Sequence, residues 1–128
     1  MKQQMVDISK AEFDVLEALW QQHPVGANEI IERLNQTKPW HEKTVKTLLN
    51  RLVKKQAVSF VKEQRRYIYS PLFAREDYTN EASQSLVERL FSGRISPLVA
   101  GFAKNKNLKK EDVDELKSLI DQWEQEHE

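Results

Sequence analysis

The sequence predicts a mainly α-helical fold with a small β-hairpin, and three observations carry that prediction. Apolar residues recur at helical spacing through residues 9–55. The period then shortens to about two over residues 58–69, where β-branched and aromatic residues collect. Helical spacing returns near residue 75 and lasts to the end.

The first helix is expected over residues 9–22. Ser9 and Glu12 have the spacing of a capping box. Phe13, Leu16 and Trp20 form an apolar stripe that Val15 and Leu19 widen, and His23-Pro24 ends it. A second, shorter helix is expected over 27–35, turning Ile30, Ile31 and Leu34 inward. Residues 37–40, which include Pro39, connect it to a third helix over about 42–55. There Val45, Leu48, Leu49 and Leu52 share one face. Lys43, Thr44, Lys46, Thr47, Asn50, Arg51 and Lys54 occupy the other. Val58, Phe60 and Lys62 then alternate with Ser59, Val61 and Glu63. Tyr67, Ile68 and Tyr69 make a second strand-like run, and Glu63 to Arg66 form a polar turn without glycine.

A fourth helix opens near Arg75, with Tyr78, Ala82, Leu86 and Leu90 at i+4 intervals, and Ser92-Gly93 stops it. Ser96-Pro97 reads as a capping serine followed by proline at the first helical position. The short helix that it opens carries Leu98, Val99 and Phe102. A last helix starts near Lys109, where Val113, Leu116, Ile120 and Trp123 repeat at 3-4-3 spacing, the pattern of helix association.

Composition narrows the function classes. The chain has 128 residues, enough for one domain, or one small domain with an appendage. A chain of this size gains from oligomerisation because little of its apolar surface can be buried alone. Charged residues make up 31% and mean hydropathy is -0.71, as in a soluble protein. No apolar run has the length of a membrane span, and MKQQMVDISKAEF lacks the apolar core of a secretory signal. Cysteine is absent, which excludes disulfides and thiolate chemistry and fits the cytoplasm. His23, His41 and His127 are far apart in sequence, and no carboxylate pair, nucleophile motif, phosphate loop or metal-ligand spacing stands out. The expectation is a non-enzyme without cofactor or metal.

The formal net charge is zero, yet the charge is unevenly spread. Residues 41–72 hold eight basic side chains (Lys43, Lys46, Arg51, Lys54, Lys55, Lys62, Arg65, Arg66) against Glu42 and Glu63, a local +6. A basic solvated surface and a phosphate-binding surface both fit that charge. The element order separates them. Three helices followed by a hairpin is the order of a winged helix-turn-helix, in which the third helix enters the major groove of DNA. Lys43, Thr44, Lys46, Thr47, Asn50 and Arg51 are then candidate base-contacting residues, and Lys54 and Lys55 phosphate contacts. Lys62, Gln64, Arg65 and Arg66 would form the wing, positioning rather than specifying. The alternative is a winged-helix module that docks on protein, which the basic third helix disfavours.

ISKAEFDVLEALW (8–20), ANEIIERL (27–34) and WHEKTVKTLLNRLVKK (40–55) closely resemble the BlaI/MecI/CopY family of bacterial transcriptional repressors, the penicillinase repressor type. LVAGFAKNKNLKKEDVDELKSLI (98–120) resembles that family's dimerisation segment. The resemblance implies a winged-helix DNA-binding domain over 1–72 and a helical dimerisation region over 73–128. It implies a homodimer that represses a β-lactamase or antibiotic-resistance-type operon, and its own promoter, from a palindromic operator. The recognition-helix residues it matches are Lys43, Thr44, Lys46, Thr47 and Arg51. Trp40 matches a family position too, and suits packing at the start of the third helix better. The dimer core would hold Tyr78, Leu86, Leu90, Phe102, Val113, Leu116, Ile120 and Trp123. Members under a membrane sensor protease are cut between asparagine and phenylalanine. The matching bond here is Gly101-Phe102, which departs from that pattern. Copper-responsive members use C-terminal cysteines, and this chain has none.

Overall fold

The structure, a computed structural model, describes residues 7–127. Its elements are α1 (Lys10–Gln21), β1 (Val25–Gly26), α2 (Ala27–Leu34), α3 (Glu42–Lys54), β2 (Val58–Glu63), β3 (Arg66–Pro71), α4 (Arg75–Phe91), α5 (Ile95–Lys104) and α6 (Lys110–Glu126). Contacts divide the chain into a first compact unit ending at Glu81 and a second beginning at Ala82.

In the first unit, three helices pack on one another and on a small antiparallel sheet of order β1-β3-β2. The hairpin expected from sequence is there, and β1 adds a third strand to it. Val25 pairs with Tyr69 and Gly26 with Ile68. Val15, Leu16 and Leu19 of α1, Ile30 of α2, and Val45, Leu49 and Leu52 of α3 are fully buried together. Each such aliphatic contributes about 1.5–3 kcal/mol of burial.

Local chemistry sets the ends of the elements. Ser9 caps α1 through the expected box: its Oγ accepts from the Glu12 N–H, and Glu12 Oε1 accepts from the Ser9 N–H at 2.8 Å. The Glu12 carboxylate is 1% exposed and also receives Lys55 Nζ at 2.6 Å, tying the start of α1 to the end of α3. Burial alone would raise the Glu12 pKa. The bonds from Lys55 and Ser9 outweigh it and hold the group below its usual value. Gln56 ends α3 in the left-handed region (φ 64°), and the Ala57 N–H closes on the Leu52 carbonyl. Gln64 and Arg65 have φ of 48° and 76°, so the hairpin turns through two left-handed residues. That is the signature of a type I′ turn, reached here without glycine or asparagine.

An aromatic group anchors the chain as it leaves the sheet. Trp20 Nε1 donates to the Phe73 carbonyl at 2.9 Å. Tyr78 stacks on Phe73 and lies 5.7 Å from Phe13. This corrects one expectation. The i+4 spacing placed Tyr78 with Leu86 and Leu90, but its ring is half-buried within the first unit, against Phe13, Trp20 and Phe73. The first turns of α4 are therefore held by the first unit, and the helix ends in the second.

The second unit comprises the rest of α4 with α5 and α6. Ser92 (φ 52°) and Gly93 (φ 83°) stop α4, with the Gly93 N–H bonded to the Val87 carbonyl. The start of α5 differs from the expectation. Arg94 is the N-cap and Ile95 the first helical residue, so Ser96 and Pro97 lie inside the first turn. Proline is tolerated there because first-turn N–H groups have no helical acceptor.

Glu12→Gln is expected to lower stability by about 1–3 kcal/mol in urea unfolding at neutral pH, by leaving Lys55 without its charged partner. The depressed carboxylate stabilises the fold above its unfolded pKa, and that contribution is lost as pH falls through the folded value. Wild type should therefore lose more stability than the variant as pH falls below the ordinary carboxylate value of about 4.5, and parallel acid curves would sink this account. Arg65→Gly should stabilise the fold by up to about 1 kcal/mol through relieved left-handed strain, read as a raised melting temperature.

Candidate nucleic-acid interface

The site is built on α3. His41 caps it, its Nδ1 accepting from the Lys43 N–H at 3.1 Å. The buried face is Val45, Leu48, Leu49 and Leu52, so the helix cannot roll on its axis. Lys43, Thr44, Lys46, Thr47, Asn50, Arg51 and Lys54 are consequently all exposed. Thr47 Oγ1 donates to the Lys43 carbonyl at 2.9 Å, leaving its oxygen lone pairs and methyl group for a partner. Lys46 Nζ meets Glu42 Oε1 at 2.8 Å, and that bond holds Glu42 below its usual pKa. Both side chains are exposed, so the pair is easily exchanged for another anion. Among the described residues, Glu42 is the one acid on α3.

The hairpin stands beside this helix. Register puts Phe60 opposite Tyr69 and Lys62 opposite Tyr67, so these four share a face. Phe60 and Tyr67 meet edge to face at 5.0 Å, and Lys62 Nζ lies 6.0 Å from the Tyr67 ring centre. Lys62, Gln64 and Arg65 are exposed at the tip. Arg66 differs: its Nη2 donates to both oxygens of Glu29 at 2.8 and 2.9 Å. A cleft of about 580 Å³ opens between these parts, lined by Asn28 and Glu29 of α2, Lys46 and Asn50 of α3, and Arg65, Arg66 and Tyr67 of the hairpin. Asn28, Glu29 and Tyr67 were not singled out by sequence. They meet through the sheet, and no local spacing encodes that.

Trp40 packs against the first unit's core, with Lys38 Nζ 4.9 Å over its ring. Its place is structural, as its position before α3 suggested.

The remaining candidates lie in the second unit. None of the described residues of α4, α5 or α6 is buried. Leu86, Leu90, Phe102, Ile120 and Trp123 are exposed, and Val113 and Leu116 are half-buried. Ile95 and Leu119, 64% and 60% exposed, extend this apolar set and were not read from sequence. Gly101 and Phe102 lie in the last turns of α5, where Asn105 N–H bonds the Gly101 carbonyl and Asn107 N–H the Phe102 carbonyl. A side chain at Gly101 would meet nothing within 4 Å, so packing does not require glycine there. Among the described residues, no helix is long and apolar enough to cross a membrane, and no group of three or more His, Cys, Asp or Glu side chains could hold a metal.

The geometry matches that of known proteins. The family model described as penicillinase repressor matches residues 8–122. The penicillinase repressor of Bacillus licheniformis is 34% identical over 115 residues, 90% of this chain and 90% of that one. That of Staphylococcus aureus is 32% identical, covering 94% and 95%. The solution structure of the DNA-binding domain of the repressor BlaI is 38% identical, with a TM-score of 0.52 over 61% of this chain and 94% of that domain. The monomeric form of Bacillus licheniformis BlaI in complex with the blaP half-operator gives 38% and 0.51 over the same shares. Staphylococcus aureus MarR, at 12% identity and a TM-score of 0.50, shares the fold alone. The winged helix read from element order is thus the observed fold, and with the family match running into α6, this chain belongs to the penicillinase repressors, a family of DNA-binding transcriptional repressors.

Proposed function

We propose that the chain is a homodimeric repressor that reads one half-site of a palindromic operator with each α3. The observation that carries this reading is α3 itself: a fully aliphatic buried face opposite seven exposed donors and cations. Lys43, Thr44, Lys46, Thr47, Asn50 and Arg51 face the base edges and nearby phosphates. Lys54, Lys62 and Arg65 bind phosphate, fixing the register without reading sequence. The half-operator complex of the BlaI relative supports the same mode, since its protein is 38% identical over 61% of this chain.

The second unit supplies the dimer. Its helices bury no residue within one chain and expose a row of large apolar side chains, so a second copy is the cover that fits. Leu86, Leu90, Phe102, Val113, Leu116, Ile120 and Trp123 form that interface; Tyr78 does not, being used within the first unit. Two linked half-site contacts raise operator affinity without new chemistry. Bound across a promoter, the dimer blocks transcription by occlusion. The regulated genes are a β-lactamase or resistance operon, with the chain's own promoter beside it, and the protein acts in the cytoplasm. Release by a membrane sensor protease at Gly101-Phe102 would require α5 to unwind first, because that bond lies within the helix.

Two measurements test the proposal. In a gel-shift series on its own promoter region, Lys46→Ala combined with Arg51→Ala should abolish the specific shift at physiological salt. Each phosphate contact removed should also lower the log–log salt slope by about one. An unchanged shift would overturn α3 as the reading helix. Ile120→Asp with Trp123→Asp should give a monomer in sedimentation and weaken palindrome binding by roughly a hundredfold. A dimer that survives both substitutions removes α6 from the interface.

A further inference from the structure

We infer that Gly26, Glu29 and Arg66 form a latch that sets the angle of the wing against α2, so that Arg66 positions the DNA-binding surface and does not itself bind DNA. This rests on the DNA-binding reading of the first unit and deepens it, for the sequence groups Arg66 with the DNA-contacting residues of the wing.

Three observations carry it. First, Arg66 is engaged. Its Nη2 lies 2.8 and 2.9 Å from the two carboxylate oxygens of Glu29, on a different element, while Lys62 and Arg65 at the same tip have no acidic partner among the described residues. Second, the pair is seated on a glycine. A Cβ added to Gly26 would lie 2.2 Å from Arg66 Nη2 and 2.7 Å from Glu29 Oε2. The backbone does not ask for glycine there: Gly26 has φ -83° and ψ 168°, open to any residue. A side chain there would instead push aside the ends of the two paired side chains. Third, the pair sits at the tip of the wing. Arg66 is the first residue of β3, directly after the two-residue turn, and Gly26 pairs with Ile68 on the same strand. Glu29 belongs to the first turn of α2, where the helix dipole also favours its charge. The latch thus joins the outer end of the hairpin to the helix that packs against α3, and it forms one wall of the cleft holding Lys46 and Asn50.

The sign of the Glu29 effect separates this from a simple electrostatic role. Glu29 is an acid beside a DNA-facing cleft. If it acted only through its charge, removing it would strengthen binding to every duplex. A latch predicts the reverse for specific DNA, because the wing loses its place while the charge becomes more favourable.

The test uses the full chain, a duplex selected by the wild-type protein from a random-sequence pool, and a scrambled duplex, followed by fluorescence anisotropy across a salt series. Gly26→Ala keeps every charge and displaces only flexible side-chain ends. Gly26→Ala and Glu29→Gln should each weaken the selected duplex by about two- to fivefold, the scale of an exposed ion pair. Glu29→Gln should leave scrambled-duplex binding unchanged or stronger. Arg66→Ala should weaken the selected duplex without changing its salt slope, and the reversed pair, Glu29→Arg with Arg66→Glu, should restore most of the loss. A salt slope lowered by about one in Arg66→Ala would make Arg66 a phosphate ligand and overturn the latch. Wild-type binding by Gly26→Ala and Glu29→Gln would overturn it as well, leaving the DNA-binding reading intact. A wild-type protein that selects no sequence would bring down both.

Discussion

Burial of four aliphatic side chains on α3 is the constraint on which the rest depends. Val45, Leu48, Leu49 and Leu52 key the helix into α1, α2 and the sheet, and none can turn outward without opening the core. Direction on a helix is fixed at 100° per residue, so anchoring one face aims the other. The exposed donors owe their common bearing to that packing. The ties at the two ends of α3 serve the same purpose: His41 caps its start, and Glu12 grips Lys55 just past its end. A buried carboxylate is costly unless paired, so that second tie also selects one docking of α1 against α3.

Charge is organised around the same helix. The chain is neutral as a whole, and its +6 stretch coincides with α3 and the hairpin. Two acids on or beside that surface are engaged: Glu42 with Lys46 and, from α2, Glu29 with Arg66. These two pairs differ in kind. Glu42 and Lys46 lie on one turn of one helix and hold nothing apart or together. Glu29 and Arg66 bridge two elements, 37 residues apart, over a glycine that gives them space.

What sequence made legible was whatever is encoded locally. The helical stripes, the Ser9–Glu12 box and the Ser92-Gly93 stop all depend on residues within a turn or two of each other, and each appears in the structure. The exposed face of α3 was readable for the same reason. Strand β1 was not, because two residues carry no period. The place of the turn at Gln64-Arg65 was legible but its type was not, because neither residue favours the left-handed region that the tight hairpin forces on it. Tyr78 and Leu86 share a helix face by spacing, yet only Tyr78 has Phe13, Trp20 and Phe73 to meet; that distinction comes from where α4 leaves the first unit. Ile95 and Leu119 fell outside the regular stripe and became visible only as exposed surface.

The helices beyond Ala82 contain no buried residue among those described, and this has a consequence for dosage. A segment without a core of its own has little stability of its own, so on the dimer reading its ordering and its self-association are one equilibrium governed by mass action. Copy number then enters repression to a power greater than one. A modest fall in concentration, by dilution at cell growth or by turnover, would release DNA more sharply than a monomeric reader of equal affinity could. On that reading the C-terminal helices, poor as a scaffold, are well suited to act as a threshold.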